Sequence, residues 1–359
     1  MNKNKLQTSA ILNDLLSVNN RIWMAPLTRC RADNPEAAVG DLQAEYYAQR
    51  APAGLIISEA TVVNEYGYGY VNVPGIHTQA QVEGWKKVTA AVHHANGKIF
   101  CQLWHVGRIS HPDFLGGKTP VSASAINHHG TAHTKTGPKE TVTPHALTIE
   151  EIQQTVRDFQ KAAANALEAG FDGVEIHSSN GYLFHQFFVN SSNLRTDIYG
   201  GSIENKTRLL FEVLDAVAEV IPMERVGLRL NPMMDGHGGI VVDEETAATF
   251  DYIVERLNDY KLAYLHLTRP GASSDKPYFI NDVIGHYRKL YKGFLVANGG
   301  YDHASGEAEL AANRADAIAY GKLFISNPNL PKAFAEGLPL KEWDVKTFYT
   351  PGPVGLTDY

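Results

Sequence analysis

TIEEIQQTVRDFQKAAANALEAGFDGVEIH, residues 148–177, contains one helix, one stop and one strand in immediate succession. Thr148 with Glu151 forms a capping box, in which the two side chains take up backbone N–H groups that the first turn leaves free. Ile152, Val156, Phe159, Ala163 and Leu167 recur at the three- and four-residue spacing of one helical stripe, and Gly170 ends it. Gly173–His177 follows as a short apolar run too brief for a helix. A helix that feeds directly into a buried strand is half of a βα unit.

Seven further runs extend the pattern in both directions: Ile22–Pro26, Leu55–Ala60 and Ile99–Trp104 before it, then Val226–Leu230, Tyr264–Leu267, Phe294–Asn298 and Ala317–Gly321 after it. A second stripe, Leu210, Val213, Leu214, Val217 and Val220, starts after Ser202 and stops at Pro222, between the fourth and fifth runs. Eight strands separated by helices predict an α/β chain folded as one (β/α)8 TIM barrel, a single domain over residues 1–359. Met1–Asn20 is expected to cap the bottom of the barrel. Residues 127–147, rich in Thr and His and poor in apolar residues, read as an inserted hairpin or lid after the third strand. His128, His129 and His133 there lack carboxylate or cysteine company, so a solvated loop is expected rather than a metal site.

The chain carries 32 Lys+Arg against 39 Asp+Glu, a net charge of −7, with no basic block to follow a phosphate backbone, so nucleic acid is not an expected partner. Its two cysteines, Cys30 and Cys101, cannot supply a four-thiolate cluster or a disulfide framework, which suits a reducing, cytoplasmic setting. No stretch approaches the roughly 18 apolar residues of a membrane span. A small-molecule enzyme, monomer or homodimer, is expected.

Polar residues inside strands have to be placed at a definite level of a barrel. Arg229 in Val226–Leu230 is expected to point inward near the C-terminal mouth, either to hold an anion or to pair with Glu175 on the neighbouring strand. Gln102 and Trp104 share a face of the third strand, an amide beside a large aromatic that suits a planar heterocycle, although Trp104 equally serves to fill the barrel end. After the fourth strand come His177, Asn180 and Tyr182. The first two can both donate to one oxygen as negative charge builds on it, and a phenol of pKa about 10 can protonate a strongly basic carbanion. The glycines of Asn298-Gly299-Gly300 and of Gly321-Lys322 close the last two strands, where barrels commonly bind phosphate, with Lys322 as a point charge. A Gly-x-Gly-x-x-Gly turn after an early strand is missing, which disfavours a Rossmann-held nicotinamide.

From about Ile22 to Tyr349 the chain resembles the old yellow enzyme family of FMN-containing ene-reductases. The motifs that carry the resemblance are Met24-Ala25-Pro26-Leu27-Thr28-Arg29, Ser58-Glu59-Ala60-Thr61, Cys101 through Arg108, Val174 through Phe187, Arg195 through Ser202, Ala297 through Tyr301 and Gly321 through Pro328. The resemblance implies that Pro26, Leu27, Thr28, Ala60 and Gln102 line the flavin ring and that Arg229 sits by its N1 and C2 carbonyl. It implies a phosphate site at Asn298, Gly299, Gly300, Gly321 and Lys322. His177 and Asn180 would grip the substrate oxygen, Tyr182 would donate the proton, and Tyr70, Trp104 and Tyr349 would shape the pocket. The reaction implied is NADPH-dependent reduction of the C=C bond of α,β-unsaturated carbonyl compounds and maleimides, with nitro compounds or nitrate esters as further substrates. Thr28, where another subgroup has cysteine, points to a threonine-tuned flavin. Lys322 stands where an arginine is expected, and residues 231–240 and 349–353 depart from the usual versions.

Two other readings compete. A phosphosugar aldolase or isomerase could occupy the same barrel, but it needs a Schiff-base lysine or acid/base carboxylate at a strand end, and the eight runs offer no lysine except Lys98, which flanks its strand at the wrong end. A flavin-binding protein without a catalytic role would have no need of Tyr182.

Overall fold

A computed structural model describes residues 4–359. Eight parallel strands close on themselves: β1 (Ile22–Met24), β2 (Ile56–Ile57), β3 (Ile99–Trp104), β4 (Gly173–His177), β5 (Val226–Leu230), β6 (Tyr264–Thr268), β7 (Leu295–Asn298) and β8 (Ala317–Tyr320). Each pairs with its neighbour in sequence, β8 returns to β1, and the order closes as a (β/α)8 barrel. The helix between β3 and β4 runs Ile149–Glu168 with the expected reciprocal cap, the Glu151 N–H donating to Thr148 Oγ at 3.2 Å and the Thr148 N–H to Glu151 Oε2 at 2.7 Å. Ile152, Phe159 and Ala163 are fully buried against the sheet, and Gly170 leaves the helix at φ +85°.

The lumen is layered. Its lower part is apolar, with Trp23 stacked on Phe294 at 5.6 Å and edge-on to Tyr264 at 5.1 Å, and Phe100 beside Tyr264 at 5.7 Å. These rings require neighbours without side chains: a Cβ on Gly173 would come within 2.4 Å of the Phe100 ring, and one on Gly227 within 2.3 Å of the Tyr264 ring. Above them lies a polar layer fixed by strand register, Glu175 opposite Gln102, His177 opposite Arg229, and Arg229 opposite His266. Residues Ala10–Asn13 and Leu16–Val18 form an antiparallel hairpin whose Ala10, Leu16 and Val18 pack onto the lower layer, giving the expected bottom cap. Met1–Lys3, part of that cap as read from sequence, lie outside the described residues.

Two expectations need correction. The run Leu55–Ala60 is not one strand: pairing stops at Ile57 and resumes in a separate pair, Thr61–Val62, set against Leu103 and Trp104. Between them the Ser58 and Thr61 hydroxyls both donate to the Glu59 carbonyl, holding a bend that puts the Glu59 side chain in the interior. The 127–147 segment does contain a hairpin, Thr131–Thr134 with Gly137–Glu140, but it is not simply solvated. Ala132 and Thr134 are buried, and His128 Nε2 is enclosed with no hydrogen-bond partner among the described residues. Among the described residues no group of three or more His, Cys, Asp or Glu could hold a metal ion, and no helix is long and apolar enough to cross a membrane.

Candidate active site

The mouth of the barrel is organised by a turn that only a few residue types make. After β4, Asn180 and Gly181 both adopt left-handed backbone, φ +57° and +76°, which Asn and Gly tolerate best. This reverses the chain so that Tyr182 starts the helix Leu183–Phe188 with its ring returned over the strand end. The Tyr182 ring lies 5.1 Å from that of His177 and 5.0 Å from that of Trp104, edge-on to both. Tyr70 stacks on Trp104 at 5.5 Å, and the Tyr70 and Tyr182 hydroxyls are 3.2 Å apart.

The rings of Tyr70, Trp104 and Tyr182 line a cavity of about 660 Å3 together with Pro26, Leu27, Thr28, Lys322, Tyr349, Cys30, His133 and Phe348, and His177 and Asn180 lie outside its lining. Trp104 is buried, whereas Tyr349 is 63% exposed and forms the rim. Ala60 packs in the same small cluster as Trp104 and Tyr182. Tyr70 and His133 also line a smaller cavity of about 400 Å3, together with His128 and His237.

In the polar layer Arg229 does not form the ion pair with Glu175 that was one of the two sequence-based alternatives. Glu175 accepts from the Gln102 amide at 2.8 Å and meets His266 Nδ1 at 2.8 Å. Burial pushes the Glu175 carboxyl up, but His266, the Arg229 charge and Gln102 outweigh it and hold the group below the usual carboxylate range. Burial keeps His266 below its ordinary value despite the neighbouring carboxylate. Arg229 feels the Glu175 charge without touching it. Its Nη2 donates to Asn298 Oδ1 at 3.1 Å and weakly to Thr268 at 3.4 Å, while its Nε is buried with no partner among the described residues. Burial and the Arg229 charge lower the His177 pKa far enough to keep that imidazole neutral. Burial, then the neighbouring Tyr70, raise that of Tyr182 well above an ordinary phenol.

Four neighbours of the site escaped the sequence reading. His266 carried the same signal as Arg229, a polar residue in an apolar run. Ser179 Oγ lies 3.1 Å from His177 Nδ1, and the Asn231 amide donates to Asn180 Oδ1 at 2.9 Å. Neither contact has a spacing rule behind it. Arg269 donates to the Gly299 carbonyl through Nε and to the Gly300 carbonyl through Nη2 at 2.9 Å, and lies 4.0 Å over the Tyr301 ring.

The residues present fit the FMN that the resemblance implies. A buried guanidinium N–H without a partner suits a ring nitrogen or carbonyl that gains negative charge on reduction. Gly299 and Gly300 sit at φ +114° and +71°, and the space a Cβ on Gly321 would take touches only Leu27, at 3.5 Å, leaving backbone open to an anion beside Lys322.

Glu59, next to Ala60, adds a pH dependence. Burial pushes its pKa up to about 7 against the hydrogen bond from the Arg29 N–H and the Arg29 charge. A carboxyl whose folded pKa is raised contributes stability below its unfolded pKa and loses it as pH rises through about 7. Glu59→Gln should therefore raise the thermal unfolding temperature relative to the parent more at pH 8 than at pH 4.5. A constant difference across that range would show Glu59 to be ionised throughout.

Comparison with known proteins agrees with this architecture. The family model described as "NADH:flavin oxidoreductase / NADH oxidase family" matches residues 12–341. A putative 12-oxophytodienoate reductase 5 of Oryza sativa subsp. japonica is 42% identical over 357 residues, covering 96% of this chain and 91% of that protein. The flavin oxidoreductase hxnT of Emericella nidulans is 41% identical over 368 residues, covering 96% and 94%. Among solved structures, the old yellow enzyme homologue from Zymomonas mobilis superposes with TM-score 0.93 at 42% identity, covering 99% of each chain. Morphinone reductase in complex with tetrahydroNAD does so with TM-score 0.91 at 44% identity, covering 99% of this chain and 96% of that one. A barrel of this topology with these matches along nearly its whole length removes the aldolase reading, and the chain belongs to the NADH:flavin oxidoreductase family of old yellow enzyme type, whose members are FMN-dependent oxidoreductases.

Proposed function

We propose that the protein is an ene-reductase that uses NADPH to reduce the C=C bond of α,β-unsaturated carbonyl compounds and maleimides, with nitro compounds or nitrate esters as secondary substrates. The observation that carries this reading is the meeting of a phenol, a neutral imidazole and an amide at one barrel mouth beside a buried cation with a free N–H. FMN, when bound, supplies a two-electron carrier that accepts hydride from the nicotinamide nucleotide and gives it to the β-carbon of the alkene.

The chain's own residues do the rest. Pro26, Leu27, Thr28, Ala60 and Gln102 would hold the ring, Arg229 would place a fixed positive charge at its N1 side, and Asn298, Gly299, Gly300, Gly321 and Lys322 would hold the phosphate. With the Ser179 hydroxyl donating to Nδ1, 3.1 Å away, His177 would carry its N–H on Nε2 and donate it to the substrate oxygen, joined by the Asn180 NH2. Two donors on an oxygen that becomes an enolate stabilise the transition state more than the ground state. Tyr182 gives its proton to the α-carbon. Because enclosure raises its pKa, it stays protonated across the working pH range and recovers the proton from water. Tyr70, Trp104 and Tyr349 limit the substrate's shape. Reductant and alkene use the same site in turn, so the kinetics are ping-pong.

The test is the visible spectrum of the purified protein under anaerobic conditions. Flavin absorption that bleaches with nicotinamide nucleotide and returns with 2-cyclohexenone supports the reading, and a colourless protein that cannot be reconstituted with FMN overturns it. The preference for NADPH rests on the family resemblance, so the titration is run with NADPH and NADH side by side. Faster bleaching by NADH would reverse that part.

A further inference from the structure

We infer that Asn231 is a positioning residue that sets the donor polarity of the site: by donating to Asn180 Oδ1 it turns the Asn180 NH2 toward the substrate oxygen. The inference rests on the oxygen-gripping role proposed for Asn180. A side-chain amide is nearly symmetric in shape but has a donor end and an acceptor end, and only the donor end stabilises a developing oxyanion. The left-handed turn that fixes the Asn180 backbone at φ +57° does not choose between the two ends. Something beyond the turn has to.

Asn231 is the first residue after β5, two positions beyond Arg229, and its amide nitrogen reaches Asn180 Oδ1 at 2.9 Å. Its own backbone is held in a turn in which its carbonyl accepts the Met234 N–H at 3.4 Å. With Oδ1 occupied, the Asn180 NH2 has no acceptor among the described residues and is free for a ligand. The imidazole has a comparable contact on its other side, where Ser179 Oγ lies 3.1 Å from His177 Nδ1; with the hydroxyl donating, Nε2 carries the ring N–H. Arg229 next to them works in the same direction, because its charge disfavours protonation of His177 and so preserves an imidazole with one acceptor and one donor.

The decisive substitution is Asn231→Asp, which keeps the shape but removes the ability to donate. A carboxylate there accepts from the Asn180 NH2, and Oδ1 is left to face the substrate oxygen. Asn231→Leu removes the hydrogen bond without imposing the wrong polarity. The probe is para-chlorophenol, whose phenolate mimics an enolate, read from its long-wavelength absorption on the oxidised holoprotein, with FMN affinity measured in parallel by flavin fluorescence. Asn231→Asp should weaken the phenol roughly 10- to 100-fold, the usual worth of a hydrogen bond to a charged partner. Asn231→Leu should weaken it less, and FMN affinity should be unchanged in both.

A carboxylate could also act by simple repulsion, so both substitutions are repeated on an Asn180→Ala background. If Asn231 acts through Asn180, the Asn231→Asp penalty disappears there, whereas repulsion would persist. A penalty of the same size on both backgrounds, or a Leu variant worse than the Asp variant, overturns the inference while leaving the role of Asn180 intact. An Asn180→Ala protein that binds the phenol as well as the parent overturns both.

Discussion

Replacing Tyr182 by phenylalanine leaves a protein that binds FMN and is bleached by nicotinamide nucleotide at nearly the parent rate, but that reduces 2-cyclohexenone about 100- to 10,000-fold more slowly, the range expected for loss of a positioned general acid. The substitution removes one oxygen atom from a ring held by Trp104, His177 and Tyr70, and leaves those contacts in place. Hydride acceptance by the flavin makes no use of a proton from this position, so the two half-reactions should separate cleanly in stopped-flow traces. Turnover equal to the parent's would take Tyr182 out of the mechanism. Tyr70→Phe is the graded control. It deletes the 3.2 Å contact between the two hydroxyls, and a several-fold loss is expected, because burial is the larger cause of the raised Tyr182 pKa and survives the change. Since that pKa lies well above that of an ordinary phenol, the alkene half-reaction should show no loss of the acid between pH 6 and 9. A fall in rate through neutral pH would mean that another group supplies the proton.

The barrel was legible in the sequence because parallel strands covered on both faces read as continuous apolar runs, and because caps and glycines mark where each helix starts and stops. Ile99–Trp104, Gly173–His177 and Val226–Leu230 appear with the bounds their composition suggests. Leu55–Ala60 does not, since periodicity cannot register that a buried Glu59 bends its own backbone to find partners. Arg229 was legible as an inward residue from the cost of placing it outward. Its partners were not, because the choice between Glu175, Asn298 and Thr268 depends on register across three strands. His266 was visible by the same argument but has no charge to make its placement compelling. The link between Asn180 and Asn231 spans 51 residues and two barrel loops, and nothing local encodes it. The imidazoles of the 127–147 segment looked solvated by composition, and tertiary packing against Gly239 and the Arg108 side chain encloses one of them.

Arg229→Met should have the largest effect on the molecule as a whole, in two separable ways. The first is on stability. Arg229 is 9% exposed and, after His266, its positive charge helps to hold the buried Glu175 carboxyl below the usual carboxylate range. Removing that charge takes away one favourable neighbour of Glu175 without breaking a direct ion pair, so the loss should fall below the roughly 3–5 kcal/mol of a broken buried pair. The second effect is on chemistry. The cation whose Nε has no partner within the protein is placed to stabilise negative charge on a bound ring, and losing a preorganised group of that kind costs roughly 100- to 1,000-fold in rate. A second substitution pulls the two apart. Glu175→Gln in the Arg229→Met background removes the stranded charge; its one amide oxygen keeps the Gln102 donor while its NH2 takes the place of the oxygen facing His266 Nδ1, which accepts from it as the other neutral tautomer, so denaturant unfolding should recover most of the lost stability. Turnover should remain low, and the reduction potential of the bound flavin should stay more negative than in the parent, because no positive charge has been returned to the mouth. Recovery of both stability and potential in the double variant would mean that Arg229 serves only as a counter-ion. Recovery of neither would mean that its hydrogen bonds to Asn298 and Thr268, and not its charge, hold the last strands together.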